Sequence, residues 1–544
     1  MKNYNILGFI AGAHSCGASY IVDGKVVAVI EEERLTRIKP YVDYENDFER
    51  YPNESIKCLI ERYGLKFDEV DYFTSFFPID TALSIFKAMF NYNIPRDKYI
   101  QIDHHESHAI LSYYLSNFQE DTLVFCADAS GGTNGHSSKT YLGSGGKMYY
   151  LDGINTKRKS LGHFYAALTE FLGYKRLKDE GKVVGLSGHG AIWWDLYGAW
   201  DSVITIEGTK TSEDNHHIEL GGVYYDLYSK FYEFVGSKYW KNKNAVHNIA
   251  YTGQRLFEDK VIELIQNLHK KAPHTKKLAL SGGIFANVKL NKRINELDEF
   301  DEIFVLPPMG DEGLAFGCAM GVMARLEEGF KPFKANDMFL GNEYSKEEVL
   351  ASSKGFGRVD LDVDLVATLL QQKKILGLYQ GRSEHGPRAL GNRSIICDCT
   401  YEETYGILNS KLQRNDYMPF APAILDEDVD FLFHLPKSRY SAEFMTLLVD
   451  TKDEWKDKIP TVVHPIDKTA RIQIVTKNSN PLFYDILKAY KKNTGVGILV
   501  NTSFNVHNEP IVESPDNAFN HLRNGIIDYL VTPYGIFTKG KSID

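Results

Sequence analysis

Cysteine is scarce and scattered in this chain: Cys16, Cys58, Cys126, Cys318, Cys397 and Cys399 are the only six among 544 residues, and no two form a CxxC pair. That excludes a disulfide framework, and reduced thiols point to a cytoplasmic protein. Nowhere do 18 uncharged apolar residues run together, so no membrane span is expected. The apolar opening "ILGFIAGA", from Ile6, lacks a strongly basic flank and continues into a hairpin pattern, so it reads as a buried strand rather than a leader. Positive charge is not in excess either. Lys plus Arg total 62 against 72 Asp plus Glu, a balance of −10 that argues against bulk nucleic-acid or membrane-surface binding and leaves room for a local basic pocket. Short-period repeats and low-complexity tracts are also lacking, so nothing points to a repeat architecture.

What is present is an ordinary globular composition, 43% hydrophobic and 25% charged, in a chain long enough for about two to four domains. Strand-like runs "TLVFCA" (from Thr122), "KLALS" (from Lys277) and "EIFVLPP" (from Glu302) alternate with helical runs such as Ala245 to Lys270, which predicts a mixed α/β architecture. Asp23-Gly24, between two β-rich runs, predicts a tight hairpin. Small or acidic residues follow each of the three strands at once, in "DASGG", "GGIFAN" and "MGDEG", and such strand-end loops are where open α/β sheets collect ligands. The stretch from Glu327, "EEGFKPFKANDMFLGNEYSKEE", reads as a linker, and a new α/β segment begins near Asp360.

Chemistry concentrates in a few places. In "DHHESHA", Asp103 to Ala109, His104 and His108 stand four apart, so on a helix both rings project from one face and can share a metal ion; the competing reading is a polar helix start capped by Asp103. Asp128 and Asp311 follow two of the strands and would complete a mixed N/O donor set suited to Fe(II), Mn(II) or Zn(II). Gly282 and Gly283, in "ALSGGIFANVKLN", lie between a strand and an amphipathic helix, where backbone N–H groups can meet a phosphate or a ribose; a tight connection is the alternative. "EGKVVGLSGHG", from Glu180, is similar. Glycine-rich "GRSEHGPRALGNRS", Gly381 to Ser394, holds three arginines and no lysine, a composition suited to bidentate phosphate binding. Arg388, Arg414, Arg471 and Ser503, converging, would make an anion pocket.

Read in order, "GAHSCGASYIVDGKVVAVIEEERLTR", "DHHESHA", "SLGHFY", "EGKVVGLSGHG", "LSGGIFANVKLN", "GDEGLAFGCA", "GRSEHGPRALGNRS", "PFAPAIL", "HPIDKTARIQ" and "NTSFNVHNEPIV" resemble the O-carbamoyltransferases of the NodU type, which act on nodulation factors and antibiotics. The resemblance spans Gly12 to Val512. It implies a mixed α/β (α+β) protein in two parts: a duplicated ribonuclease-H-like (ASKHA) ATPase-like domain over residues 1–345, and a YrdC-like domain over residues 346–544. The second would bind carbamoyl phosphate and form carbamoyl adenylate with ATP. The first would bind metal and transfer the carbamoyl group to an acceptor hydroxyl on a sugar, an antibiotic, another natural product or a hydroxymethyl nucleobase.

Carried over by position, the metal ligands are His104, His108, Asp128 and Asp311, with Fe(II) the usual ion and Mg(II) accompanying ATP. His14 matches the histidine beside the transferred group. Arg388 and Arg471 match the catalytic anion contacts, with Lys411, Arg414, Asn501 and Ser503 also on the substrate and Gly282, Gly283 and Asn287 on the adenosine side. Two positions depart from the pattern: Ser15 replaces an aspartate common after the first-loop histidine, and Met418 stands in "KLQRNDYM" where many members carry an arginine. The rival readings are a tRNA threonylcarbamoyl-type transferase and a non-catalytic nucleotide-sensing ASKHA module. The acidic balance disfavours the first, and the intact ligand and arginine positions disfavour the second.

Overall fold

A computed structural model describes residues 4–12, 15–39, 51–131, 135–154, 160–202, 204–207, 210–213, 245–414 and 419–540. The chain divides into two compact units, each assembled from three segments. Met1–Lys25, Tyr41–Tyr51 and Lys66–Lys334 make the first; Val26–Pro40, Pro52–Leu65 and Ala335–Asp544 make the second.

Strands β1 (Asn5–Ile10), β2 (Gly17–Val22), β3 (Lys25–Glu31), β4 (Tyr72–Ser75) and β5 (Tyr99–Gln101) form a sheet in the order β3-β2-β1-β4-β5. The Asp23-Gly24 turn has both φ angles positive, 52° and 73°, as a two-residue hairpin of primed type demands. Strands β6 (Thr122–Gly131), β7 (His136–Ser144), β8 (Lys147–Ile154), β11 (Lys277–Ser281) and β12 (Glu302–Val305) form another, in the order β8-β7-β6-β11-β12. Both sheets follow one plan: the first strand pairs antiparallel with the next in sequence and parallel with a strand that returns after a helical crossover. This repetition agrees with the duplicated ribonuclease-H-like α/β fold expected from the sequence. Between these segments, β9 (Ile204–Glu207) and β10 (Lys210–Glu213) pair by themselves.

An eight-stranded mixed sheet organises the second unit: β13 (Gly357–Val359), β14 (Leu376–Tyr379), β15 (Arg393–Cys397), β16 (Ala421–Leu425), β19 (Gln473–Val475), β20 (Ile498–Ser503), β21 (Tyr529–Thr532) and β22 (Gly535–Thr538), in the order β13-β22-β21-β14-β15-β20-β16-β19. A short pair, β17 (Val449–Asp450) and β18 (Thr469–Ala470), stands apart. The central strands are apolar on both faces because both are covered. Ile396, Ala423, Leu425 and Leu499 join one apolar cluster with helices Val363–Gln371 and Pro481–Thr494. Their neighbours Ile395, Cys397, Ile424, Ile498 and Val500 join the cluster on the opposite side, as the two-residue strand period requires.

The stretch from Glu327 is not the loose linker its composition suggests. It lacks long regular elements, yet Met338 and Asn342 are both 1% exposed, and the Leu340 carbonyl accepts from Val29 N at 2.8 Å within the second unit. Nor does regular structure wait until Asp360. A helix already spans Lys346–Ser352, started by a capping box of Ser345 and Glu348. Among the described residues no helix is long and apolar enough to cross a membrane.

A candidate metal centre and an arginine cluster

Asp103 caps the helix His104–Tyr114, its carboxylate accepting from Glu106 N at 3.1 Å. The competing expectation, a helix start capped by Asp103 with histidines facing solvent or satisfied locally, holds for the cap but not for solvent exposure: His104, His105 and His108 are 4%, 1% and 0% exposed. In the first unit, the one-face spacing aims His104 and His108 at two carboxylates delivered by strand ends. Asp128 lies two residues beyond the last β6–β11 pair, Ser281 with Cys126, and Asp311 stands in the turn between β12 and the helix Leu314–Leu326.

Donor atoms of all four residues lie within 4.8 Å of one another. His104 Nε2 is 3.4 Å from Asp311 Oδ1 and 3.9 Å from Asp128 Oδ2; His108 Nε2 is 3.3 and 3.5 Å from the same oxygens. Burial disfavours charge on the His108 imidazole, but the two carboxylates overcome it and push its pKa up to about 9. Burial would likewise raise Asp128, yet the two imidazoles hold it well below the usual carboxylate range. His104 Nε2 and Asp128 Oδ2 are buried and lack a hydrogen bond of ordinary geometry. Two imidazoles and two carboxylates, converging with unsatisfied lone pairs, fit a four-donor site for a first-row divalent ion.

The glycine pair serves this centre by letting backbone come close. Gly282 has φ 98°, and a Cβ there would lie 2.0 Å from the Ala127 carbonyl oxygen; a Cβ on Gly283 would lie 2.9 Å from Asp128 Oδ1. Asn287 is occupied by the fold: it caps the helix Val288–Asn295 through Leu290 N at 3.1 Å and exchanges two hydrogen bonds with Gln254, at 3.0 and 2.9 Å.

In the second unit the three arginines of the glycine-rich segment part ways. Arg382 donates to the carbonyls of Val27, Leu340 and Gly341. Arg393, fully buried, donates to those of Gln380, Gly381, Asn342 and Asn392 and lies 3.9 Å from the Tyr379 ring centroid. Both are structural. Arg388 instead faces Arg414 and Arg471 closely enough for their charges to interact. Burial and Arg388 lower Arg414 to about 10; burial, Arg388 and Arg414 lower Arg471 well below the arginine range. Arg414 also donates to Thr502 Oγ1 at 2.7 Å and Ser503 Oγ at 2.9 Å, which brings Ser503 to the cluster. Asn501 Nδ2 donates to the Ala389 carbonyl at 3.1 Å and to Gln473 Oε1 at 2.6 Å, tying the Arg388 loop to β19 and β20. Three mutually repelling guanidinium groups with a hydroxyl beside them are a donor set of the kind that suits a multiply charged anion.

Lys411 does not join it: its ammonium is committed to Asp528 at 3.2 Å and to the Gly525 carbonyl at 2.9 Å. His14 and Met418 lie outside the described residues.

Sequence reasoning missed the groups that pin the Arg388 loop. Glu384 Oε1 accepts from the backbone N–H of Leu390, Asn392 and Arg393 at 2.8, 2.8 and 3.0 Å. Glu31 Oε1 accepts from Gly386 N at 2.7 Å and lies 3.1 Å from His385 Nδ1, while Arg34 donates to the Gly386 carbonyl at 2.8 Å and pairs with Glu31 at 3.2 Å. "EEER" reads locally as a solvated helix start. Its signal was the density of paired charges just after an apolar strand.

Burial would raise the Glu31 carboxyl, but Arg34, His385 and the Gly386 N–H bring it down to about 2, below the ordinary 4.5. The folded value being the lower, this interaction stabilises fully at neutral pH and is lost as the pH falls from about 4.5 towards 2. Glu31→Gln is therefore expected to flatten the acid side of a plot of unfolding midpoint against pH, and a curve parallel to wild type over that window would refute the assignment.

Comparison with known proteins gives a consistent pattern. A family described as "Carbamoyltransferase N-terminus" matches residues 82–320, and one described as "Carbamoyltransferase C-terminus" matches residues 367–539. The nodulation protein NolNO of Sinorhizobium fredii is 30% identical over 95% of this chain and 78% of its own length. The uncharacterized protein MJ1051 of Methanocaldococcus jannaschii is 31% identical over 98% of this chain and 100% of its own. Among solved structures, full-length HypF in its phosphate- and nucleotide-bound form aligns over 60% of this chain and 56% of its own, with 14% identity and a TM-score of 0.34.

Proposed function

Because the chain belongs to the carbamoyltransferase family, with N- and C-terminal regions matched in order, we propose that it is an ATP-dependent O-carbamoyltransferase working in two half-reactions. In the first, carbamoyl phosphate gives up inorganic phosphate to water, and the carbamate so formed attacks the α-phosphorus of ATP, expelling pyrophosphate and leaving carbamoyl adenylate. In the second, the acceptor hydroxyl oxygen attacks the carbonyl carbon and loses its proton, the bond from that carbon to the bridging oxygen breaks, and AMP leaves with the bridging oxygen. The observation that supports this reading is the presence, in one chain, of a buried cluster of three arginines and a separate set of two imidazoles and two carboxylates that could hold a metal ion.

Arg388, Arg414 and Arg471 would neutralise the phosphate of carbamoyl phosphate and stabilise the charge that grows on it as it leaves, and Ser503 would orient one oxygen. Holding the carbamate apart from bulk water favours its capture by ATP. In the first unit His104, His108, Asp128 and Asp311 would hold an iron, manganese or zinc ion. When bound, such an ion acts as a Lewis acid on an adenylate phosphate oxygen. His14 is positioned in sequence to accept the acceptor's hydroxyl proton, a contribution of about 10²- to 10⁴-fold for a general base. Sugars, antibiotics, other natural products and hydroxymethyl nucleobases all offer the required hydroxyl.

Pyrophosphate release from ATP is expected only when carbamoyl phosphate is present, and release independent of it would overturn the proposal. His14→Asn should keep that release and lose carbamoylation of the acceptor, read as added mass on candidate hydroxyl compounds. Loss of both activities in a folded variant would contradict the division of labour.

A further inference from the structure

Arg388 sits on a loop whose backbone is held by carboxylates and amides rather than by sheet pairing. On one side Asn501 and Gln473 donate to the carbonyls of Ala389 and Leu390. On another, one oxygen of Glu384, a residue 2% exposed, gathers three backbone N–H groups. Next to Gly386 the His385 N–H donates to the Met338 carbonyl at 2.8 Å, and the hold on Gly386 itself comes from 355 positions away. There the N–H donates to Glu31 and the carbonyl accepts from Arg34, so that both polar groups of one peptide position are gripped by a buried ion pair. Gly386 has φ 109°, a conformation that only glycine adopts without strain, and it lies two residues before Arg388.

We infer that Glu31 and Arg34 are positioning residues for anion binding: by fixing both polar groups of Gly386 they set the direction in which Arg388 enters the arginine cluster. The inference rests on the proposed carbamoyl phosphate site and deepens it. The physical case concerns preorganisation. Three like-charged guanidinium groups repel one another, so the loop carrying one of them tends to swing away from the other two before the anion arrives. A backbone held at a single position resists that swing, and the affinity lost without it is the cost of drawing the loop back in. Glu384 pins the loop beyond Arg388 and the Met338 carbonyl holds His385 before it, while the two polar groups of Gly386 between them are held by Glu31 and Arg34.

Two conservative variants test this, Glu31→Gln and Arg34→Lys. The first removes the charge but keeps an oxygen acceptor; the second keeps the charge but loses the guanidinium fork. Affinity for inorganic phosphate is measured by calorimetric titration of the full-length protein, with unfolding midpoints taken alongside. Wild type should bind phosphate, and Arg388→Lys should bind it at least about tenfold more weakly. Each positioning variant should weaken phosphate about five- to tenfold and raise the KM for carbamoyl phosphate by a similar factor in the pyrophosphate assay, with kcat changed less than twofold and metal content unchanged. Unaltered phosphate affinity in both variants, with or without a lower unfolding midpoint, would mean that the pair only supports the fold, and the inference fails. Phosphate binding by wild type that Arg388→Lys leaves intact, or no phosphate binding by wild type, would instead overturn the anion-site reading itself and this inference with it.

Discussion

Alanine at His108 is expected to empty the candidate metal centre and to lower carbamoyl transfer by at least about a hundredfold, since even partners outside the ligand shell typically cost ten- to a hundredfold in metal affinity or activity. His108 is the fully buried member of the set and the one whose Nε2 approaches both carboxylates to 3.5 Å or less. Without it Asp128 and Asp311 face each other with one imidazole between them, and their mutual repulsion adds to the missing lone pair. Metal analysis of purified wild type and variant reads the first effect; acceptor carbamoylation reads the second. Carbamoyl-phosphate-dependent pyrophosphate release should survive, because the arginine cluster belongs to the other unit. Equal metal content in the two proteins would rule the ligand assignment out.

Arg471→Met should produce two effects of opposite sign. Burial and the neighbouring Arg388 and Arg414 all oppose charge on Arg471, and its buried Nε makes no hydrogen bond. The charged side chain is thus held against its own electrostatic preference. An apolar chain of similar length relieves that cost; replacing buried ion pairs by packed apolar residues is often neutral or stabilising by about 1–4 kcal/mol, and on that scale the unfolding midpoint should rise by roughly 2–8 °C. Use of carbamoyl phosphate should meanwhile fall by roughly ten- to a hundredfold or more, the loss of one or more charge-assisted hydrogen bonds of about 1.5–3 kcal/mol each. Phosphate added to wild type should raise its midpoint by linkage, and added to the variant should do far less. Arg471→Lys separates the two contributions: it restores the repulsion without the planar fork, so it should be no more stable than wild type and still bind weakly. A variant that loses stability and keeps wild-type kinetics would show that Arg471 is an ordinary packing residue.

How far the site could be read from the sequence depended on the range of the forces involved. His104 and His108 were legible because helix geometry over four residues fixes their common face, and Asp128 and Asp311 because strand ends in α/β proteins face one way. The burial of the helix was not legible. "DHHESHA" is polar by composition, and only tertiary packing puts those rings inside. Local sequence also could not sort Arg382, Arg388 and Arg393, which share one glycine-rich segment: the first and last meet backbone carbonyls, whereas Arg388 lies near Arg414 and Arg471. Lys411 misled for a related reason, since its partner Asp528 stands 117 positions away. The duplicated strand order was foreseen through resemblance and not through periodicity, because strand pairing across a crossover leaves no local trace. The eight-stranded sheet and the hold of Glu31 on Gly386 have the same long-range origin.

The second unit's assembly from three separate segments governs how the chain comes to be folded during synthesis. Residues 26–40 and 52–65 leave the ribosome long before residue 335 does. At about 5–20 residues per second the delay is on the order of tens of seconds. Throughout it, Ile56 and Leu59, both 0% exposed in the finished protein, wait as part of a nascent chain whose destined neighbours have yet to be made. A polypeptide stopped before residue 335 would keep that stretch without the rest of its unit, including the Gly341 and Asn342 partners of Tyr63 and Cys58. Splitting the gene at the apparent linker would therefore yield a sticky first fragment and a second one missing part of its own core, whichever half was wanted.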